Sequence, residues 1–225
     1  MPKVRIGINV LEAAGQRIAW TFDTFEKISV SFSAGKDSTV MLHLVMDEAI
    51  SRGRKVAALM IDLEGQYKIT MEHAARCFEM YRDHIDLHWV CLPIHLRNAV
   101  SVYSPHWLCW DPDKQEMWIR NPPEQAITDE AHYPFFHRGM EFEEFVPEWS
   151  NWYAQGQSCA CFVGIRSDES LNRYRSVTSR TKSSWAGLTW TTQLDAAPNV
   201  YNIYPIYDWR TEDLWVYHAK HRDKP

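Results

Sequence analysis

Six residues, Ser33 to Ser38, combine the side chains and the backbone freedom that an anion site needs, in the order SAGKDS. Gly35 allows the backbone to come close to a phosphate group. Lys36 supplies a full positive charge, and Ser33 and Ser38 supply hydroxyl donors. If a helix begins here, its free N–H groups and its dipole add to the attraction for anions. The stretch therefore predicts a phosphate-binding loop.

Asp37 does not suit direct contact with a phosphate, because both groups are negatively charged. It would either cap the following helix or help to position a magnesium ion. The Walker A loop, G-x-x-x-x-G-K-[ST], is a rival interpretation. It fails because Val30 occupies its first glycine position and Asp37 its Ser/Thr position. A helix cap with a chance lysine is the remaining alternative.

Further polar residues could complete such a site. Asp62 ends an apolar run, where it would either bind a ribose or magnesium or simply cap a turn. Arg166 follows another apolar run, and a guanidinium can bind a phosphate through two hydrogen bonds. Four basic residues come after it and either bind phosphate or line a solvated helix face: Arg173, Arg175, Arg180 and Lys182.

The five cysteines are scattered along the chain, which favours reduced thiols in a cytoplasmic protein. Cys159 and Cys161 form a C-x-C pair at the start of an apolar run. With Cys109 or His137 they could hold a metal ion, or one of them could carry sulfur. Alternation along a buried strand explains the pair without either role. We expect no metal site, no signal peptide and no membrane span.

The pattern of apolar residues predicts the elements that would position the loop. The first helix is predicted at 9–25, with Asn9 as its cap. Five short apolar or β-branched runs predict strands at 28–32, 55–62, 87–94, 159–166 and 199–209. Helices are predicted between the first three strands and from Thr211 onward. This alternation is typical of an α/β fold with an open, mostly parallel five-stranded sheet and helices on both faces.

The segment His95 to Ser158 interrupts this alternation, and we predict an aromatic-rich insertion within a single domain that spans residues 1–225. It holds 12 of the 30 aromatic residues and carries ten acidic but three basic residues between Asp111 and Glu148. We expect it to cover the mouth of the loop and to contact a protein partner or a second copy. A self-contained core is the alternative. Because the net charge is −5, direct DNA binding is not expected.

The residues SAGKDS resemble the PP-loop motif SGGKDS of the ATP-pyrophosphatase and sulfonucleotide reductase superfamily, from which Ala34 is the one departure. Three more stretches resemble the superfamily in the same order: MIDLEGQY, GIRSDESLNRYR and YPIYDWRTEDLWVY. The resemblance covers about residues 25–220 and implies a Rossmann-like fold of the adenine nucleotide α-hydrolase type. It implies that the loop holds the pyrophosphate of ATP or the phosphosulfate of phosphoadenosine phosphosulfate (PAPS), with Lys36 and Asp37 in catalysis. The residues that it assigns to nucleotide binding are Ser33, Ala34, Gly35, Lys36, Asp37, Ser38, Asp62 and Arg166.

Within the superfamily the chain resembles the PAPS reductase-like group, and most of all the prophage co-activators of the immunoglobulin-binding regulator A type. Reductases of the superfamily use a cysteine near the C-terminus, and no cysteine follows Cys161. We therefore expect neither PAPS reduction nor an iron–sulfur cluster. Two functions stay open. One is an enzyme that splits ATP between its α and β phosphates, with magnesium, and adenylates an acceptor. The other is a nucleotide-sensing regulator that acts through a ParB-like partner.

Overall fold

A sheet of six strands lies at the centre of the computed structural model, which describes residues 7–98, 100, 102–178 and 182–225. The strands in this part of the chain are β1 (Lys27–Ser31), β2 (Val56–Ile61), β3 (Ile85–Val90), β4 (His95–Arg97), β5 (His106–Leu108), β6 (Cys159–Val163), β7 (Thr191–Leu194) and β8 (Ala197–Ile203). The central sheet has the order β3-β2-β1-β6-β8-β7, and β4 pairs with β5 in a separate hairpin. Neighbours in the central sheet are parallel except for β7 and β8, which are antiparallel.

The predicted α/β class with an open, mostly parallel sheet is confirmed, but the predicted number of five strands is corrected to six. The missed strand is β7, which reads TTQL and contains a single large apolar residue. It lies at the edge of the sheet and pairs with β8 alone. An antiparallel edge strand on a parallel sheet does not need the continuous apolar run of an inner strand such as β2, which reads VAALMI.

The helices in the described residues are α1 (Val10–Thr24), α2 (Lys36–Ser51), α3 (Lys68–Tyr81), α4 (Phe142–Ala154), α5 (Leu171–Thr178) and α6 (Thr211–Lys220), with 3-10 turns at Pro112–Met117, Glu130–His132 and Trp185–Gly187. The side chain of Asn9 caps α1 by accepting a hydrogen bond from the Glu12 backbone N–H at 2.9 Å. None of these helices has the length and apolar character that a membrane crossing requires.

Helices cover both faces of the sheet, as the alternation of side chains along β6 demonstrates. Phe162 stacks on Phe22 of α1, with ring centroids 6.4 Å apart. Its neighbour Cys161 points the other way and packs in a cluster with Ala154 of α4. Because successive residues of a strand face opposite sides, α1 and α4 lie on opposite faces.

The segment predicted as an insertion contributes to the main core. It contains the β4–β5 hairpin and ends in α4, which packs against β6 and β8. Its buried aromatic residues, among them Trp110, Tyr133, Phe145 and Trp149, belong to the same cluster as the inner strands. The aromatic residues therefore join the segment to the rest of the molecule and do not form a core of their own.

Candidate functional site

The loop after β1 has the strand–turn–helix arrangement that the sequence predicts. The Ser38 hydroxyl donates to the Gly35 carbonyl at 3.0 Å, and it accepts a bond from the Ser33 backbone N–H at 3.3 Å. The hydroxyl of Ser33 lies 3.0 Å from that of Ser38, and Ser33 is exposed. Ser38 therefore closes the loop from inside, whereas Ser33 is accessible to a ligand.

The helix N-terminus at this loop has no side-chain cap, because its N-cap residue is Gly35. Gly35 has φ of −80°, which any residue can adopt, and a Cβ there would meet only Ser33 Oγ at 3.5 Å. The empty space above it suits a ligand that comes close to the backbone. Ala34 is the residue in the left-handed region, with φ of 57°, at the position where the PP-loop motif has glycine.

Two cations of the site share one carboxylate. The Lys36 ammonium lies 3.0 Å from one oxygen of Asp37, and the Arg166 Nε donates to the other oxygen. The Arg166 side chain is 3% exposed, whereas that of Lys36 is 42% exposed. Asp37 therefore holds both positive groups beside the start of α2. The structure thus brings together all the loop residues and Arg166.

Gly164 explains how Arg166 reaches the loop, although no role was predicted for this glycine, which begins the GIRSDESLNRYR stretch. A Cβ at Gly164 would lie 3.0 Å from the Ser38 Cα and 3.1 Å from the Ser38 backbone nitrogen. Such a contact is tighter than nine in ten real Cβ contacts, so glycine lets the end of β6 pass the first turn of α2 without a shift of either backbone. The feature of the sequence that could have identified Gly164 is its position two residues before Arg166.

Asp62 lies at the end of β2 as predicted, but its carboxylate has no exposed surface. One oxygen accepts from the Trp89 indole N–H at 2.9 Å, and the other accepts from Arg120 and from the Glu64 backbone N–H. Both carboxylate oxygens of Asp62 therefore already accept hydrogen bonds from groups of the protein. A ligand role for Asp62 stays a prediction, and in this arrangement Asp62 positions the loop that follows β2.

A second buried carboxylate, Glu64, was missed from the sequence. It accepts backbone hydrogen bonds from Trp110 at 2.8 Å and from Ile119 at 3.2 Å. The Trp110 indole N–H also donates to the Asp62 carbonyl at 2.6 Å. The segment Trp107–Arg120 is thus attached to the carboxyl end of β2, beside the end of β1. Partners 46 to 58 residues apart leave no local sequence pattern.

The remaining basic candidates that the structure describes are on α5 or follow it in the chain. Arg173 and Arg175 are exposed, and Arg173 lies 3.8 Å from Glu169. Lys182 is also exposed, and Arg180 lies outside the described residues. These positions do not distinguish a phosphate contact from a solvated helix face.

The C-x-C pair is buried between the sheet and α4. Burial raises the pKa of Cys159 to about 12 and that of Cys161 to about 11, so both thiols are protonated at neutral pH. Cys109 instead donates to the carbonyls of Leu92 and Ile94. Within the described residues, no three His, Cys, Asp or Glu side chains are grouped to hold a metal ion.

The turn before α6 is fixed to α1. Arg17 of α1 binds the Asp208 carboxylate through two hydrogen bonds of 2.7 and 2.8 Å. The Trp209 indole N–H donates to the Val10 carbonyl at 3.0 Å. In the same turn, the Tyr207 carbonyl accepts hydrogen bonds from Ser167, so the turn also supports the loop that carries Arg166.

Comparison with known proteins identifies the family. Residues 27–224 match the phosphoadenosine phosphosulfate reductase domain. The chain is 42% identical to the uncharacterized protein YbdN of Escherichia coli (strain K12) over 222 residues, which are 98% of this chain and 54% of YbdN. This chain therefore spans about half the length of that relative.

Two solved structures are similar to the chain. The phosphoadenylyl-sulfate (PAPS) reductase of Candida auris, in a phosphate complex, has a TM-score of 0.51 at 14% identity and covers 95% of this chain and 81% of its own. The U34-tRNA thiolase NcsA of Methanococcus maripaludis, with its [4Fe-4S] cluster, has a TM-score of 0.46 at 14% identity and covers 93% and 63%. The similarity to the PAPS reductase of Candida auris supports the α/β fold described above. The particular resemblance to prophage co-activators and the expected lack of an iron–sulfur cluster stay predictions. By the match over residues 27–224, the chain belongs to the phosphoadenosine phosphosulfate reductase domain family.

Proposed function

We propose that this chain binds an adenine nucleotide, either ATP or PAPS, with its phosphate groups at loop 33–38. The observation that carries the proposal is the meeting of Lys36 and Arg166 on one carboxylate beside an uncapped helix N-terminus. Two cations and free N–H groups at the carboxyl end of a parallel sheet form an environment that favours phosphate.

Binding would exchange the partner of the two cations. Phosphate oxygens would take the place of the Asp37 carboxylate at Lys36 and Arg166, and charged hydrogen bonds of this kind are strong. The released carboxylate is a hard oxygen ligand of the type that Mg²⁺ prefers, and Mg²⁺ commonly uses one or two carboxylates with substrate phosphates. Asp37 therefore fits the magnesium role that the sequence indicates.

With ATP, the supported chemistry is adenylyl transfer. An acceptor oxygen or nitrogen attacks the α phosphorus, the bond from that phosphorus to the bridging oxygen breaks, and pyrophosphate leaves with the electron pair. The acceptor loses its proton to water. Lys36 stabilises the charge that develops on the leaving pyrophosphate. Electrostatic stabilisation of this kind is usually the largest single contribution to catalysis.

Reductive chemistry on PAPS is not part of the proposal. Such a step needs a thiolate that attacks the sulfur of the substrate, and all five cysteines of this chain are buried thiols. Burial raises the pKa of each of them. The thiols of this chain are therefore poor nucleophiles at neutral pH.

A nucleotide-sensing regulator is the second candidate function. It is favoured by exposed apolar side chains on the segment that is attached to the carboxyl end of β2, the strand next to β1. A regulator would bind nucleotide at the same loop without releasing pyrophosphate, and its output would be a contact with a protein partner, for which a ParB-like protein is one candidate.

Replacing Lys36 with alanine tests nucleotide binding. We expect the free energy of ATP or PAPS binding to weaken by about 1–3 kcal/mol, the range for a hydrogen bond to a charged group. Isothermal titration calorimetry measures it. Lys55→Ala is the matched control, because Lys55 is exposed and precedes β2 at the opposite end of the sheet. Equal affinities for the two variants would refute the loop assignment. Pyrophosphate release from ATP then separates the enzyme from the regulator.

A further inference from the structure

An exposed apolar surface lies next to the segment that is attached to β2. Met117 is 71% exposed and Ile119 is 67% exposed, and Trp107 is 39% exposed. A Cβ at Gly65 would be 3.7 Å from Ile119 Cδ1 and 3.8 Å from Trp107 Cη2, so these side chains flank the same point. We call Trp107, Met117 and Ile119 the Trp107 surface. Large apolar side chains grouped in this way mark interaction sites.

A cavity of about 330 Å³ opens within this surface. Trp107, Met117 and Trp118 form its apolar walls, and Glu64, Asp111 and Lys114 contribute charged groups. The Lys114 ammonium lies 3.2 Å from the Asp111 carboxylate, while the Lys114 side chain is 64% exposed. A basic side chain of this protein thus already pairs with the carboxylate of a cavity that Trp107 and Trp118 also line.

The segment that carries Met117 and Ile119 is acidic in sequence, although Arg138 pairs with two of its carboxylates, Asp113 and Glu130. From Asp111 to Glu130 the chain has six carboxylates and two basic side chains. One of the two, Arg120, is paired with the buried Asp62. A two-fold contact with a second copy would bring this acidic segment against itself, which is unfavourable. Anionic lipid surfaces are disfavoured for the same reason.

We propose that the Trp107 surface binds a segment of another protein in which apolar residues flank an arginine. The arginine would enter the cavity, displace the Lys114 ammonium from Asp111, and stack on the indole rings of Trp107 and Trp118. A guanidinium suits this position because it is planar, binds carboxylates in two places and packs on aromatic faces. The apolar neighbours would cover Met117 and Ile119. This inference goes beyond nucleotide binding and does not depend on it.

The test uses fluorescein-labelled blocked peptides and the full 225-residue chain at physiological ionic strength. One peptide alternates leucine and arginine, a second replaces arginine with glutamate, and a third replaces leucine with serine. Fluorescence anisotropy should detect the first peptide and neither of the others. If the first peptide does not bind at concentrations up to about 1 mM, the proposal is wrong. A Kd of about 1 mM corresponds to only about 4 kcal/mol of binding free energy.

Protein variants locate the binding. Met117→Ser with Ile119→Ser should weaken binding of the first peptide about tenfold or more, because central apolar contacts dominate interface energetics. Trp215→Ser with Val216→Ser is the matched control, since these α6 residues are 59% and 52% exposed. Lys114→Ala should tighten binding about threefold or more, because it frees Asp111.

Three results would count against the proposed site. Equal loss of binding in both double variants would mean that the peptide binds elsewhere. Weaker binding by Lys114→Ala would mean that an arginine does not replace Lys114. If the wild-type chain dimerises in sedimentation experiments and Met117→Ser with Ile119→Ser abolishes the dimer, the Trp107 surface is a contact with a second copy. Unchanged thermal unfolding of each variant excludes loss of folding as the cause.

Discussion

At the scale of single residues, Asp37 determines how the positive charge of the site is used. It sits between Lys36 and Arg166, and Arg166 is almost fully buried. A buried guanidinium without a partner would be costly, so the carboxylate stabilises the unliganded loop. The same carboxylate competes with any phosphate that approaches the two cations. Stability without ligand and affinity for anions are therefore opposed at this residue.

Replacing Asp37 with asparagine should reveal this competition. We expect metal-free pyrophosphate to bind about fivefold tighter, because the variant removes a negative charge next to the anion while it retains a hydrogen-bond acceptor. We also expect lower thermal stability without ligand, restored by pyrophosphate through binding to the folded state. Calorimetry in the presence of a chelator measures the affinity. Asp83→Asn, at an exposed position before β3, is the control. Weaker pyrophosphate binding by Asp37→Asn would mean that Asp37 assists the anion directly.

The residue types of the loop were readable from the sequence, but their internal contacts were not. SAGKDS predicted an anion site between a strand and a helix, and the structure has the predicted order of strand, turn and helix. The exposed hydroxyl of Ser33 and the inward hydroxyl of Ser38 differ because only Ser38 follows the turn into α2. Asp62 depends on Arg120, 58 residues away, and such a distant partner cannot be found from periodicity.

At the scale of elements, the close approach of β6 to α2 sets the geometry of the site. Gly164 is where the two backbones come closest, and Arg166 extends from the loop that follows. The sheet order places β6 directly beside β1. The apolar run that begins at Cys159 predicted a strand of the mostly parallel sheet. The neighbours of that strand could not be predicted, because strand order depends on packing between distant segments.

Gly164→Ala should therefore affect both stability and binding. The added Cβ would lie 3.0 Å from the Ser38 Cα, so the first turn of α2 or the end of β6 must shift. We expect a loss of about 1–3 kcal/mol in the free energy of unfolding, the usual cost of overpacking. Urea denaturation measures the loss, and calorimetry measures the accompanying decrease in ATP affinity.

Gly15→Ala is the matched control for this element. Gly15 lies inside α1, and nothing is within 4 Å of the position that its Cβ would take. Alanine there should raise the free energy of unfolding by about 0.5–1 kcal/mol, because alanine is the better helix former. If Gly164→Ala behaves like Gly15→Ala, the contact between β6 and α2 is not tight enough to set the site.

At the scale of the whole molecule, the aromatic-rich segment joins the core to the site. The sequence indicated that the strand–helix alternation is interrupted from His95, where the β4–β5 hairpin and two 3-10 turns precede α4. It did not indicate that Phe145 and Trp149 of α4 pack into the main core. Amphipathic periodicity gives one face of a helix but not the layer against which that face packs. Glu64 likewise fixes the segment to β2 through backbone N–H groups, which any residue type could supply.

Two buried histidines, His43 and His88, and the half-buried His73 give the whole fold a predictable pH dependence. His43 of α2 is fully buried and hydrogen-bonded to the Tyr81 hydroxyl at 2.7 Å. Burial lowers the pKa of His43 from 6.5 to about 4. Burial also lowers the pKa of His73 and that of His88. Between about pH 4 and pH 6.5 the unfolded chain binds more protons than the folded chain. The free energy of unfolding therefore rises with pH across that range.

We therefore expect the free energy of unfolding to be fully developed above about pH 6.5 and to fall as the pH decreases toward about 4. A depressed histidine pKa means that the folded state must keep His43 neutral while the unfolded state takes up a proton. In His43→Gln the fall should be smaller by up to about 3 kcal/mol, because glutamine does not titrate. Urea denaturation at a series of pH values gives both curves. His137→Gln is the control, since the His137 side chain is 61% exposed. Parallel curves for wild type and His43→Gln would mean that His43 becomes protonated without unfolding, so that its burial does not limit stability in acid.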